Sequence, residues 1–483
     1  MSENTIFVQI ASYRDPQLLP SLNSMFENVD HPKNLHIAIC WQHGPEETLE
    51  LFTSNGFIVG DTVNDSRVIY RQSPYNPTPH VLPVIHMTKN GAKLSVIDVH
   101  FHKTKGACWA RNAIQQLYEK EKYTLQLDSH HRFAPHWDTT LINMLESVRD
   151  EQHPKPLLTA YIPSFDPEND PAMRTQEPWK MDFDRFIPEG AVFFLPATID
   201  NWQNLDKPVT SRFYSAHFCF ADGLFAEEVQ HDPEYFFHGE EIAIAARAYT
   251  WGYDLYHPHR PVIWHEYTRK GRVKVWDDHT TGQKNKGRVD MDWVERNNVC
   301  HRRNHILFGM DGEDPNQIDF GKYGWGPVRT LQQYEEYAGI SFKYRGVQQQ
   351  TLNRSPNHHY PPNTLKYTTE EEWKNSFVRS NDVRICVHKN ELELDKYFAP
   401  GETPEFDFAY LGANDEEYKE IHRKDLSTDE IKRHLQNEWI DQRFIFLADR
   451  KPKTYTLWLV AKDKTKGSDG WLTRIVKDVQ EGV

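Results

Sequence analysis

Asp128, Ser129 and His130 follow an apolar run, Tyr123–Leu127, and Trp264, His265 and Glu266 close another. Side chains on an extended backbone alternate with period two, so Asp128 and His130 point to one side and Ser129 to the other. A carboxylate and an imidazole held in this way suit a divalent ion such as Mn²⁺ or Mg²⁺, with coordination positions left for phosphate oxygens. His265 can complete the set as a third ligand. Taken singly, each signal is weak. Asp-x-His also serves as a helix cap beside surface histidines, and a lone histidine is more often a satisfied core residue. The strand before Asp128 and the helix pattern after it favour the ligand reading, in which the site binds a nucleoside diphosphate and activates it as a leaving group.

Three further constellations fit the same chemistry. Gly106-Ala-Cys-Trp-Ala-Arg111 opens a helix whose free N–H groups can face an anion, with Arg111 able to reach a diphosphate. Ile10-Ala-Ser12-Tyr13-Arg14-Asp15 lies where the first strand ends, and its backbone and the Asp15 carboxylate can recognise a pyrimidine and its ribose; Asp15-Pro16 can equally be a plain helix start. His238-Gly-Glu240-Glu241 precedes a helix and follows three aromatics, Tyr235 to Phe237. That places Glu240 or Glu241 at a sugar or acceptor hydroxyl, unless both merely favour the helix dipole. Residues 268–298 carry Arg269, Lys270, Arg272, Lys274, Lys284, Lys286 and Arg288, which reads as a cationic lid or as a solvated loop.

The elements around these residues alternate. Strand patterns over 5–12, 34–41, 94–100 and 123–127 are interleaved with helix patterns starting at Pro16, over 46–53, over 106–121 and around 137–148. This predicts an α/β fold with a mainly parallel sheet whose strand ends carry the ligand site. Residues 162–212 are Pro-rich and read as an irregular excursion. Strand signal returns over 212–220 and 262–265, with a helix between them over 240–250. Around 346–367 the chain turns polar. Beyond it come short β-leaning runs at 383–387, 443–447 and 454–460 and one helical patch at 428–438. The expected division is a catalytic domain over 1–345, a linker over 346–367 and a β-rich module over 368–483.

With 483 residues the chain is too long for one ordinary core. Lys and Arg number 56 against 70 Asp and Glu, a net charge of −14, which disfavours a nucleic-acid partner. The 5 cysteines are scattered without CxxC spacing, so a zinc finger or secreted disulfide scaffold is not expected. No basic-then-apolar leader and no membrane-length apolar run appears; the expectation is a cytoplasmic protein.

The combined motifs, Ile10-Ala-Ser-Tyr-Arg-Asp15, Gly106-Ala-x-x-Ala-Arg111, Leu127-Asp-Ser-His-x-Arg-Phe133, His238-Gly-Glu-Glu241 and Trp264-His265, resemble the glycosyltransferase (GlcNAc) family over residues 5–310. Its eukaryotic members modify hydroxyproline on a ubiquitin-ligase adaptor in protists. The order of motifs is also similar to that of the polypeptide GalNAc-transferases. The resemblance implies a GT-A (Rossmann-like) fold, a UDP-sugar donor (N-acetylglucosamine before other sugars), Mn²⁺ or Mg²⁺ and retention of anomeric configuration. It implies Asp128, His130 and His265 as metal ligands in a DXD-like motif. Arg111 and Ser129 fall on the nucleotide side, Ser12 to Asp15 at uridine, and Glu240 and Glu241 with Asp128 around the reacting sugar. His131 departs modestly from the pattern. The acceptor hydroxyl, on a protein, peptide or glycan, stays open, as does the oligomeric state. A metal-dependent UDP-sugar hydrolase or pyrophosphatase, and an inactive carbohydrate- or protein-binding relative, are the rival readings.

Overall fold

A computed structural model describes residues 4–73, 76–187, 190–268, 271–356, 364–448 and 450–479. Arg269 and Lys270 of the expected cationic segment, with Pro188, Pro361 and Pro362, lie outside them. The chain divides into two compact units, residues 1–343 with 350–366 and residues 344–349 with 367–483. Residues 346–367, expected as a linker, are thus shared between the two. Among the described residues no helix is long and apolar enough to cross a membrane.

The first unit has the expected α/β architecture, built on a 10-stranded mixed sheet. At its centre Tyr123–Leu127, Ile6–Tyr13, Leu35–His43 and Ala92–His100 run parallel in that order. Ile6–Tyr13 and Leu35–His43 are buried along most of their length, as strands covered on both faces must be. Helices Leu18–Asn28 and Trp137–Ser147 cover one face through Leu22, Met25, Trp137 and Leu141. Helix Ala107–Gln115 covers the other through Ala110 and Ile114. The chain leaves Ile6–Tyr13 on one side for Leu35–His43 and returns on the other side as Tyr123–Leu127. The carboxyl ends of these strands flank that reversal, where open α/β sheets bind ligands. Ile10 pairs with Leu127, which sets Asp128 beside Ala11.

Several elements differ from expectation. A long hairpin, Ile58–Ser73 with Asn76–Lys89, extends the sheet edge; its exposed polar residues over 60–67 hide the strand period. The Pro-rich excursion contains a hairpin, Trp179–Phe186 with Val192–Thr198. The helix expected to reach residue 121 stops at Gln115, where the backbone tightens into a turn that bonds Leu117 N–H to Ile114 O. The strand expected over 212–220 is Phe218–Asp222.

In the second unit Gly346–Gln348, Phe377–His388 and Trp439–Ala448 form one antiparallel sheet. Glu420–Ser427, Phe406–Asn414, Thr454–Ala461 and Trp471–Asp478, in that order, form another. Val383, Ile385 and Val387 from the first sheet and Leu411, Leu457 and Leu459 from the second share one core, so the sheets pack face to face as a sandwich. Helix Thr428–Gln436 adds Ile431 to that core.

Candidate functional site

Asp128 emerges from Tyr123–Leu127 at the reversal. Just beyond it, His131–Phe133 pairs antiparallel with Ile263–His265, matching His131 to His265. This short ladder carries the distant histidine to the Asp-x-His segment. Asp128 Oδ2 stands 3.7 Å from His130 Nε2 and 3.6 Å from His265 Nε2. The three side chains bring one ligand atom each to within 4.8 Å of one another. Burial opposes ionisation of Asp128, but His265, Arg111 and His130 outweigh it and hold the carboxyl well below its usual range. Burial keeps His265 neutral, and both its ring nitrogens lack a hydrogen-bond partner. An ionised carboxylate beside the neutral His265 imidazole and a second histidine ring is the donor set a divalent cation requires. These three residues therefore fit such an ion.

Asp15 lies behind His130. Its Oδ2 accepts from Ser129 Oγ at 2.6 Å and meets His130 Nδ1 at 2.7 Å, and its Oδ1 accepts from Gln17 N–H at 2.9 Å. Burial again opposes the charge, yet the bonds from His130 and Ser129 bring Asp15 down to about 2. With Nδ1 given to Asp15, His130 turns Nε2 toward Asp128, the support that metal-binding histidines commonly receive. Asp15 and Ser129, both expected at the nucleotide, line the same cavity and are bonded to each other there.

Arg111 sits on the helix that Gly106 opens. Gly106 has φ 106°, and a Cβ there would stand 2.7 Å from the Phe236 ring, so only glycine fits. Only 4% of Arg111 is exposed. It donates through Nη2 to Asp128 Oδ1 at 2.8 Å and through Nη1 to Glu240 Oε1 at 2.7 Å. Its guanidinium thus orients Asp128, and the second carboxylate balances its charge.

The cavity enclosed by these groups measures about 170 Å³. Ala11, Tyr13, Asp15, Arg111, Asp128 and His130 form part of its wall, with Phe236, Phe237 and residues 272–276. Of Ser12 to Asp15, Tyr13 and Asp15 line it. Ser12 is buried on the opposite side, and Arg14 turns away to Asp278 at 2.9 Å and Glu46 at 3.1 Å. Glu240 and Glu241 do not line the cavity, contrary to expectation. Glu240 is occupied by Arg111 and the Cys108 thiol. Glu241 accepts from Ala216 N–H at 2.9 Å and Tyr161 Oη at 3.0 Å, and burial lifts it to about 7. Cys108, His231 and Glu240 form a second metal-capable trio, but the Arg111 cation on Glu240 opposes a metal there.

Of the described cations in the cationic segment, Arg272 and Lys274 line the site, whereas Lys286 and Arg288 are exposed. Arg272 pairs with Glu266 at 2.9 Å and approaches Asp15 at 3.4 Å. Lys274 and Trp276 line the cavity, and Asp278 accepts from Tyr13 Oη at 2.9 Å. Sequence reasoning missed Glu266 and Asp278. Glu266 adjoins His265 and could have been singled out, whereas nothing local marks Asp278.

The profile of the family described as Glycosyltransferase (GlcNAc) matches residues 5–344. No curated protein matches the sequence. Among solved structures, GalNAc-T7 with UDP, GalNAc and Mn²⁺ is 11% identical, covers 69% of this chain and has a TM-score of 0.40. The chain spans 56% of the length of that protein. TarS 1–349 from S. aureus in complex with UDP-GlcNAc is 12% identical, with coverage of 63% of this chain and 73% of that one and a TM-score of 0.32. The mannosyltransferase PcManGT from Pyrobaculum calidifontis, with GDP-Man and Mn²⁺, is 11% identical over 56% of this chain and 59% of its own, with a TM-score of 0.32.

Proposed function

Because the chain belongs to the Glycosyltransferase (GlcNAc) family, we propose that it transfers N-acetylglucosamine from UDP-N-acetylglucosamine to a hydroxyl group of a protein, peptide or glycan, with retained anomeric configuration. The observation that carries this reading is the convergence of Asp128, His130 and His265 at the strand-order reversal. These three would hold a divalent cation, which when bound would neutralise charge on the departing diphosphate.

The surrounding residues prepare that chemistry. Asp15 fixes the ring and tautomer of His130. Arg111 keeps Asp128 ionised and oriented. Arg272 and Lys274 bring positive charge to the cavity wall, where phosphate oxygens would lie. Phe236, Phe237 and Trp276 add an apolar wall that excludes water. Retention has its own support. An inverting displacement needs a carboxylate free to take the acceptor proton, and among the described residues lining the cavity the carboxylates are Asp15 and Asp128, both already committed.

The test is UDP release from UDP-N-acetylglucosamine with Mn²⁺, with and without candidate acceptors, followed by product analysis. Asp128→Ala is expected to lower metal-dependent release by at least about 10²-fold, the scale of one electrostatic contact to a developing charge. Near-normal turnover in that variant would sink the assignment. Free sugar as the sole product with every acceptor would replace transfer by hydrolysis.

A further inference from the structure

The outward face of one sheet in the second unit carries half-buried aromatic rings where a sandwich normally places polar residues. Along Phe406–Asn414, inward Ala409 and Leu411 alternate with outward Phe408 and Tyr410. On the next strand Leu457 and Leu459 point inward and Trp458 outward. Tyr410 pairs with Trp458, and Val460 with Trp471 on the strand beyond. The four rings therefore form one patch across three adjacent strands, none of them belonging to the core.

The patch is rigid. Trp471 meets Trp458 at 5.2 Å between centroids and 83°, and Phe408 at 6.0 Å and 89°. Tyr410 lies along its own strand over Gly412, where a Cβ would stand 2.9 Å from the Tyr410 hydroxyl oxygen. Arg423 stacks on Tyr410 at 4.1 Å and pairs with Asp425 at 2.9 Å, and Arg474 flanks Trp458 at 6.0 Å.

We propose that this face is a carbohydrate-binding surface that holds a neutral glycan chain. Sugar rings present apolar C–H faces and equatorial hydroxyls. Fixed indole rings match the first, and Arg423, Asp425, Arg474 and the Tyr410 hydroxyl supply donors and acceptors for the second. Charge decides against a nucleic acid, which also stacks on aromatics. Arg423 is neutralised by Asp425, which among the described residues leaves Arg474 as the cation beside the rings without an ion pair, far short of a phosphate-tracking stripe. The proposal does not depend on the activity assigned to the first unit.

The test uses the full chain without donor or metal. Tryptophan fluorescence and calorimetry follow titration with hexamers of N-acetylglucosamine, β-1,4-glucose, α-1,4-glucose and β-1,4-mannose. At least one is expected to bind. Trp458→Ala and Trp471→Ala should each weaken that binding about tenfold, on the order of one lost aromatic contact. Trp439→Ala, an exposed indole on the other sheet, should leave it unchanged, and thermal unfolding of each variant reports its folding. Trp458→Phe should keep part of the affinity, which a merely structural role would not require. Binding of none of the four oligosaccharides would overturn the proposal. So would affinity for oligouridylate alone, or a dimer that Trp458→Ala dissociates while no glycan binds.

Discussion

The strand-end site of the first unit and the aromatic face of the second are built on opposite principles. At the site, charged groups from distant segments are buried together and each satisfies more than one other. Arg111 serves Asp128 and Glu240, and Asp15 serves Ser129, His130 and Arg272. On the aromatic face the rings are half-buried and touch neighbours on their own sheet. Removing one group from the site strands its partners in a low dielectric, whereas removing a ring from the face leaves no charge unpaired. The two regions should therefore answer substitution on different scales.

The largest effect is expected at Arg111. Arg111→Met removes the cation and leaves Asp128 and Glu240 facing each other without it, which should cost about 3–5 kcal/mol of stability. Urea denaturation of the first unit measures it. A loss under about 1 kcal/mol would mean that the site tolerates a stranded charge and would erase the contrast between the regions.

A second prediction concerns a carboxyl of the first unit held in the opposite state. Burial raises Glu335 to about 7, with Phe342 N–H as a donor at 2.8 Å. The unfolded chain ionises this group from about 4.5 upward while the folded protein keeps it protonated. Between these values the folded state binds more protons, so stability falls as pH rises and the loss is complete above about 7. The shift corresponds to about 3 kcal/mol. The denaturation midpoint should fall between pH 5 and 8, and Glu335→Gln should make that slope shallower, with Glu241, also raised to about 7, carrying a part of the same sign. An unchanged slope in the variant would assign the pH dependence elsewhere.

Asp15 and Glu240 show how much of this contrast a sequence can reveal. The alternation of short apolar runs with amphipathic helices discloses the sheet, and a strand ending in Asp-x-His discloses Asp128 and His130. Both are local signals. The partner of Glu240 lies 129 residues away on another helix, so a glycine followed by two carboxylates looked like a site for hydroxyls. Asp15-Pro16 reads locally as a helix start, and its bond to His130 exists only once two parallel strands are in register. The edge hairpin Ile58–Ser73 with Asn76–Lys89 carries too many exposed polar residues to show period two. The aromatic face is legible only after the register of three strands is known.

Asp15→Asn sharpens the comparison from inside the site. The amide keeps the shape but loses the charge that fixes His130, so Mn²⁺ affinity should drop about 10–100-fold. Calorimetry with the metal alone reads this directly. If affinity is unchanged, His130 is oriented without Asp15, and the site is less interdependent than its bonds imply.

The smallest effect belongs to the aromatic face. Trp458 packs against Trp471 and Arg474 and is absent from the sandwich core. Trp458→Ala strands no charge and leaves no closed cavity, so it should cost only about 1 kcal/mol, the scale of one aromatic contact. Affinity for UDP with Mn²⁺ should also be unchanged, since the groups placed around Asp128 all come from residues of the first unit. A change in nucleotide affinity beyond about threefold, roughly 0.6 kcal/mol, would mean that the aromatic face and the strand-end site are energetically coupled. The two principles would then describe one cooperative device, and binding at the face would become a way to tune the site.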